Sequence, residues 1–175
     1  MGNNDLTGEI PVGIFDLVNL RVLELNNNAL EGPLSTAVGN LVNLEILRLF
    51  TNIRARAGPG SIVSTGFSGE LPASIGNLVR LTILEVYSNA FEGVLPSSIG
   101  NLINLELLDL EFNNFSGELP IEMAGLENLR QFYLSNNVFE GAMVEGICLN
   151  GSITNVYADC AVECADTCCT TGCAA

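Results

Sequence analysis

The chain has 175 residues, 48% of them hydrophobic but only 6% aromatic, so a core can form and must be built mainly of Leu, Ile and Val. It carries 20 acidic residues against six basic ones, a formal charge of −14, which repels phosphate backbones and anionic lipid and argues against nucleic-acid and membrane-surface roles. All six basic residues are Arg; with no His and no Lys, His-activated nucleophiles, His-ligated metals, Schiff-base lysines and phosphate-loop lysines are excluded.

From the N-terminus, Met1 to Asp5 lack the charged-then-apolar pattern of a signal peptide. Asn4 already belongs to a repeat whose strand is missing, so the chain is expected to be a piece of a longer one, and the missing leader does not decide the compartment. No apolar run reaches the roughly 18 residues of a membrane-spanning helix, so no membrane insertion is expected within this chain.

A period then governs the sequence. Asn4, Asn28 and Asn52 step by 24; Asn89 follows at 37, which is 24 + 13; Asn113 and Asn137 resume the step of 24. Two residues after each Asn, allowing once for the extra 13, stand Leu6, Leu30, Phe67, Phe91, Phe115 and Phe139, and two further on Gly8, Gly32, Gly69, Gly93, Gly117 and Gly141. Before the Asn the pattern is L-x-x-L-x-L-x-x-N, as in Leu20, Leu23, Leu25 and in Leu105, Leu108, Leu110. Each L-x-L is expected to be a short strand with both apolar side chains inward, and the turns stack to share one core. The Asn amide is the polar element inside, with donors and an acceptor for backbone groups at each bend. The Phe column is expected to stack as an aromatic spine. Segments such as Pro96-Ser97-Ser98-Ile99-Gly100 read as short helical turns, with Pro at the first helical position, Ser capping and Gly closing.

These residues resemble the plant-type leucine-rich repeat over residues 3 to about 147. The departures are Pro33, one place early with Ser35 in the usual Pro position, and Met143-Val144 in place of Ile-Pro. The resemblance implies an α/β-type solenoid, a right-handed leucine-rich-repeat coil with a parallel β-sheet on its concave side and short helical or 3-10 turns on its convex side. On this basis residues 1–147 form about six repeats, and residues 148–175 a Cys-rich cap.

The exposed strand positions are where binding is expected. They place Glu24, Arg48, Glu85, Asp109 and Tyr133 in one column, with Phe50, Tyr87 and Glu111 in the next and Phe112 beside them. Phe50, Tyr87, Phe112 and Tyr133 are expected to lie on adjacent strands, and aromatics of this kind are enriched at interfaces. Glu85, Asp109 and Glu111 also admit a hydrolase or cation-sharing reading, against which stands the plain one of a solvated acidic face.

The stretch from about 53 to 66 cannot fit the lattice and is expected to bulge out as a loop, carrying Arg54 and Arg56. It either docks an acidic partner or is a tolerated insertion.

All six cysteines fall from position 148 onward: Cys148, Cys160, Cys164, Cys168, Cys169 and Cys173. They lack the paired C-x2-C spacing of strong zinc sites, so three disulfides in an oxidising compartment are expected, with no metal and no cofactor. Ile153 and Val156 continue the lattice into a last strand. The tail resembles the Cys-rich endings of leucine-rich-repeat proteins from unicellular algae. Asn114 and Asn150 head N-x-S sequons and are glycosylation candidates.

Together these features point to a non-enzymatic recognition module at the cell surface or outside the cell, with a protein, peptide or glycan partner on its concave face. Plant-type repeats occur in receptor kinase ectodomains and in inhibitors of cell-wall-degrading enzymes, so the resemblance implies a receptor-like or inhibitor-like role. The alternatives are a structural or adhesive protein (cell-wall or ice-binding) and, behind it, a carbohydrate-active hydrolase. Adhesion would need regular Thr or Asn ranks, whereas the flank position runs Thr7, Glu31, Ser68, Glu92, Ser116, Glu140.

Overall fold

The computed structural model of the chain describes residues 1–54, 64–159 and 162–163. Strands form where the L-x-L segment of each repeat recurs: Val22–Glu24, Ile46–Arg48, Ile83–Glu85, Leu107–Asp109, Gln131–Tyr133 and Asn155–Tyr157. They join in chain order into one parallel six-stranded sheet. The middle residues Leu23, Leu47, Leu84, Leu108, Phe132 and Val156 are buried in the shared core. The insertion leaves this register untouched, since Leu47 stands opposite Leu84 just as Leu84 stands opposite Leu108. The last strand arises where Ile153 and Val156 continue the period.

Inside the bends the Asn column forms a ladder. Asn52 Nδ2 donates to the carbonyls of Leu49 (2.6 Å) and Leu25 (3.3 Å), while its Oδ1 accepts the N–H of Leu30 at 3.2 Å. Asn113 and Asn137 repeat the scheme, each tying its own turn to the one before. Beyond Asn137, the Asp159 carboxylate accepts the N–H groups of Asn136 and Asn137 at 2.8 and 2.9 Å, where the turn of Ser88 and Asn89 uses the backbone carbonyls of Glu111 and Phe112. The expected aromatic spine is present: Phe67, Phe91, Phe115 and Phe139 stack with centroids 5.9–6.1 Å apart.

The convex turns are 3-10 helices, Val12–Asp16, Thr36–Asn40, Ala73–Asn77, Ser97–Asn101 and Ile121–Gly125, followed by a short α-helix, Glu145–Leu149. Their ends differ from the sequence expectation. Pro11, Pro72, Pro96 and Pro120 occupy the cap position rather than the first helical one, and their carbonyls accept the first turn's N–H at 2.9–3.0 Å. Where Pro33 is displaced, Ser35 takes the cap and its hydroxyl accepts the Ala37 N–H at 3.2 Å. The glycines of these turns do not close them, since each C-cap is a Leu. They admit the next turn instead: a methyl on Gly76 would stand 2.5 Å from the Ser98 carbonyl, and one on Gly100 the same distance from that of Glu122.

A second parallel sheet, absent from the sequence expectation, runs along the flank through Gly32–Pro33, Phe67–Gly69, Ala90–Gly93, Asn114–Gly117 and Val138–Phe139. Thr7–Gly8 pairs with Ala29–Leu30, and Gly141–Ala142 with Val162–Glu163, in the same sense. One residue beyond the paired Gly8↔Leu30, Gly69↔Phe91 and Gly117↔Phe139, Glu9 comes beside Glu31, Glu70 beside Glu92, and Glu118 beside Glu140. The junctions between these set Pro33 beside Ser68 and Val94 beside Ser116.

The insertion leaves and re-enters through a short antiparallel pair, Ile53–Arg54 with Ser64–Thr65. Arg54 thus lies at the base of a hairpin, while Arg56 lies outside the described residues. In the tail, Cys148 packs half-buried against the core and is disulfide-bonded; Cys160, Cys164, Cys168, Cys169 and Cys173 lie outside the described residues.

Candidate functional site: the concave sheet

Parallel register turns the outward positions of the six-stranded sheet into straight columns. Glu24, Arg48, Glu85, Asp109, Tyr133 and Tyr157 are successive Cα partners. Charge along this column is settled locally at one end. Arg48 lies between two carboxylates, with Nη1 2.6 Å from Glu24 and Nε 2.5 Å from Glu85. Three of the expected ligand-binding residues therefore hold one another.

Two stacked pairs stand among the aromatics of this face. Phe50 and Tyr87 do meet, stacked at 4.5 Å and within 7° of parallel. Tyr133 stacks instead on Tyr157, at 5.2 Å, and its hydroxyl donates to Gln131 Oε1 at 2.9 Å. Tyr157 escaped the sequence reading although it stands one period beyond Tyr133 and opposite it in the register. Phe112 stands on the bend after its strand, with a left-handed φ of 54° and 53% exposure. Asn27, Thr51, Ser88 and Asn136 share that backbone in their own turns, so the bend imposes it and Phe112 is the bulky exception.

Between the two stacks lie Asp109 and Glu111. Asp109 Oδ1 accepts the Glu111 N–H at 3.1 Å. Burial pushes the Asp109 carboxyl up to about 7, the nearby Glu111 and Glu85 charges adding to it and the hydrogen bond opposing. Glu111 is raised as well, first by burial and then by Asp159, against a bond from Ser135. Burial also raises the phenols of Tyr87 and Tyr133, with the Asp109 charge contributing to both. Among the described residues no ion pair joins an arginine to Asp109 or Glu111: Arg48 is engaged as above, Arg21 and Arg80 turn to Glu45, and Arg130 is exposed. The three acids of the hydrolase reading do adjoin, but Glu85 is committed to Arg48.

Beside the charged column runs a stripe that the sequence reading assigned no role: Val22, Ile46, Ile83 and Leu107 on four successive strands. Val22 is 44% exposed and the others are half-buried. A shallow hollow of about 550 Å³, lined by Glu24, Asn26, Arg48, Phe50 and Glu85, opens beside Met1 to Asn3.

Of the sequon residues, Asn114 is exposed on the second sheet. Asn150 is not open in the same way, because its Nδ2 donates to the carbonyls of Leu126 and Leu129 and its Oδ1 accepts the Ser152 N–H.

Comparison with known proteins agrees with this architecture. Leucine-rich-repeat family profiles match residues 19–41 and 79–139. No curated protein sequence matches the chain. Among solved structures, the chain is similar to a TDR receptor at 34% identity and a TM-score of 0.80, covering 94% of this chain and 26% of that one. It is similar to the Arabidopsis receptor kinase HAESA, solved with the peptide hormone IDA and the co-receptor SERK1, at 26% identity and a TM-score of 0.78, covering 94% and 25%. A plant ice-binding protein is similar at 25% identity and a TM-score of 0.70, covering 91% and 49%. The chain thus spans about a quarter of these receptor chains. Repeat matches, stacked parallel strands and neighbours of the same coil converge: the chain is a plant-type leucine-rich-repeat protein.

Proposed function

We propose that the chain is a non-enzymatic recognition module of a receptor-like or inhibitor-like protein that works at the cell surface or outside the cell. Its partner is a protein or peptide, taken on the six-stranded concave face. The observation that carries this reading is the Phe50–Tyr87 stack beside the aliphatic stripe from Val22 to Leu107, since rigid aromatics flanked by apolar surface concentrate binding energy. The peptide-bound receptor HAESA, similar along nearly the whole chain, supports it at the level of fold.

The adhesive alternative has the ice-binding neighbour in its favour. Against it, the flank sheet carries Glu31, Glu92 and Glu140 where regular hydroxyl ranks would be needed. The six tail cysteines are proposed to close the coil as three disulfides, in keeping with the bonded Cys148. Asn114 is the proposed glycosylation site; free thiols in a titration of the unreduced chain would remove the disulfide proposal.

The central test pans a displayed library of random peptides against the chain. Binders are expected to lose the joint Phe50→Ser, Tyr87→Ser, Phe112→Ser variant while keeping a Glu70→Gln, Glu92→Gln variant of the flank. Binders indifferent to the triple change would overturn the concave-face reading.

A further inference from the structure

The concave face is uneven in charge, and that unevenness selects a partner chemistry. At one end Arg48 satisfies Glu24 and Glu85. At the centre Asp109 and Glu111 have no cation among the described residues, although burial disfavours the charge of both. Tyr87 precedes Glu111 in one column by one turn, and Tyr133 stands directly opposite Asp109 in the other. The carboxylates thus sit between two aromatic stacks, with Ile83 and Leu107 beside them.

Each class of group that could settle there has a different consequence. An anion would meet carboxylates and the negative faces of aromatic rings. An apolar group would complete the burial of Asp109 and leave its charge unpaired, which is costly. A cationic side chain pairs the carboxylates and gains from the ring faces on either side. The planar fork of a guanidinium can engage two carboxylates at once.

Resting on the recognition reading above, we propose that the segment docked on this face is an extended basic peptide of another protein. It sets an Arg or Lys between Tyr87 and Tyr133, against Asp109 and Glu111, and aliphatic side chains along Ile46, Ile83 and Leu107.

The same peptide library tests this separately. Peptides recovered on the wild-type chain are expected to be enriched in Arg or Lys flanked by aliphatic residues. A synthetic copy of the most enriched peptide, titrated calorimetrically, should bind at least about tenfold more weakly to Asp109→Asn and to Glu111→Gln, the scale of one charge-assisted pair. It should bind Glu70→Gln, Glu92→Gln unchanged, which separates the central carboxylates from the overall negative charge. Circular dichroism checks each variant for folding, and the two single variants serve as independent reports. Binders that need Phe50 and Tyr87 but carry no basic residue, and that ignore Asp109→Asn, would overturn this inference while leaving the recognition reading intact. Basic binders that respond to the flank variant as strongly as to Asp109→Asn would overturn it also. Binders indifferent to the concave triple variant would overturn both.

Discussion

Oδ1 of Asn89 accepts the backbone N–H of Phe67 at 3.1 Å, even though the insertion separates their turn from the preceding ladder residue, Asn52. The Nδ2 of Asn89 donates to the carbonyls of Leu49 and Val86, both at 3.0 Å. One amide thus joins the turn before the insertion to the turn after it, and keeps the coil in step across the bulge.

Asn89→Ala leaves three buried backbone groups without that partner. Each orphaned group costs about 1–3 kcal/mol, so the variant is expected to lose about 3 kcal/mol or more of folding stability. Chemical denaturation followed by circular dichroism measures it; a loss below about 1 kcal/mol would mean that the ladder is dispensable at the insertion.

Gly100→Ala tests the close approach of the convex turns. The added methyl would stand 2.5 Å from the Glu122 carbonyl oxygen, and overpacking of this kind costs about 1–3 kcal/mol. Gly13 has nothing within 4 Å of the equivalent position, so Gly13→Ala is expected to gain about 0.5 kcal/mol by restricting the unfolded chain. Opposite signs for two Gly→Ala changes, read from melting midpoints, are the expected result.

Phe112→Asn is expected to stabilise the fold by about 1 kcal/mol, because Asn tolerates the left-handed backbone that strains Phe. The ring is 53% exposed, so little burial is lost in exchange. If Phe112 contributes to the partner surface, the same change should weaken the peptides selected on the concave face. Greater stability with weaker binding would show strain retained for contact.

Asp109 makes stability depend on pH in a defined direction. Its folded-state value of about 7 lies above the ordinary 3.8. Below the ordinary value both states are protonated and the group contributes nothing. As pH rises from about 4 to about 7 the unfolded chain ionises first, so the folded state bears a penalty that grows across that window and is complete above it. Asp109→Asn removes the charge and keeps the acceptor for the Glu111 N–H. It should melt higher than wild type at about pH 8 and lose that advantage at about pH 4; an equal difference at both would mean that Asp109 does not titrate in this window.

Much of this was legible in the period itself. The repeated L-x-L specified six strands because both Leu must face one interior, and the Asn and Phe columns announced the ladder and the spine. The second sheet was not legible: its strands are two to four residues long and run into glycines with positive φ, so they read locally as turns. The hairpin at the base of the insertion escaped for a similar reason, each arm being two residues. Within the site, the columns were legible but their pairings were not. Arg48 bridging Glu24 and Glu85, and Tyr133 turning to Tyr157 rather than toward Phe50, follow from which neighbours lie within reach across the sheet. The left-handed backbone of Phe112 was not legible either, because it belongs to the bend, where Asn27 and Asn136 adopt it more easily.

The flank sheet adds a rule for cutting and splicing. From Glu9 to Glu140 its junctions alternate between glutamate beside glutamate and Pro33 or Val94 beside serine, and the last sets Ala142 beside Glu163. Excising one turn, from position 89 through 112, would bring Glu70 beside Ser116, a seam not found among the described residues. Excising two, from position 89 through 136, would bring Glu70 beside Glu140 and reproduce a seam already there. A shortened or extended version of this scaffold is best made two turns at a time.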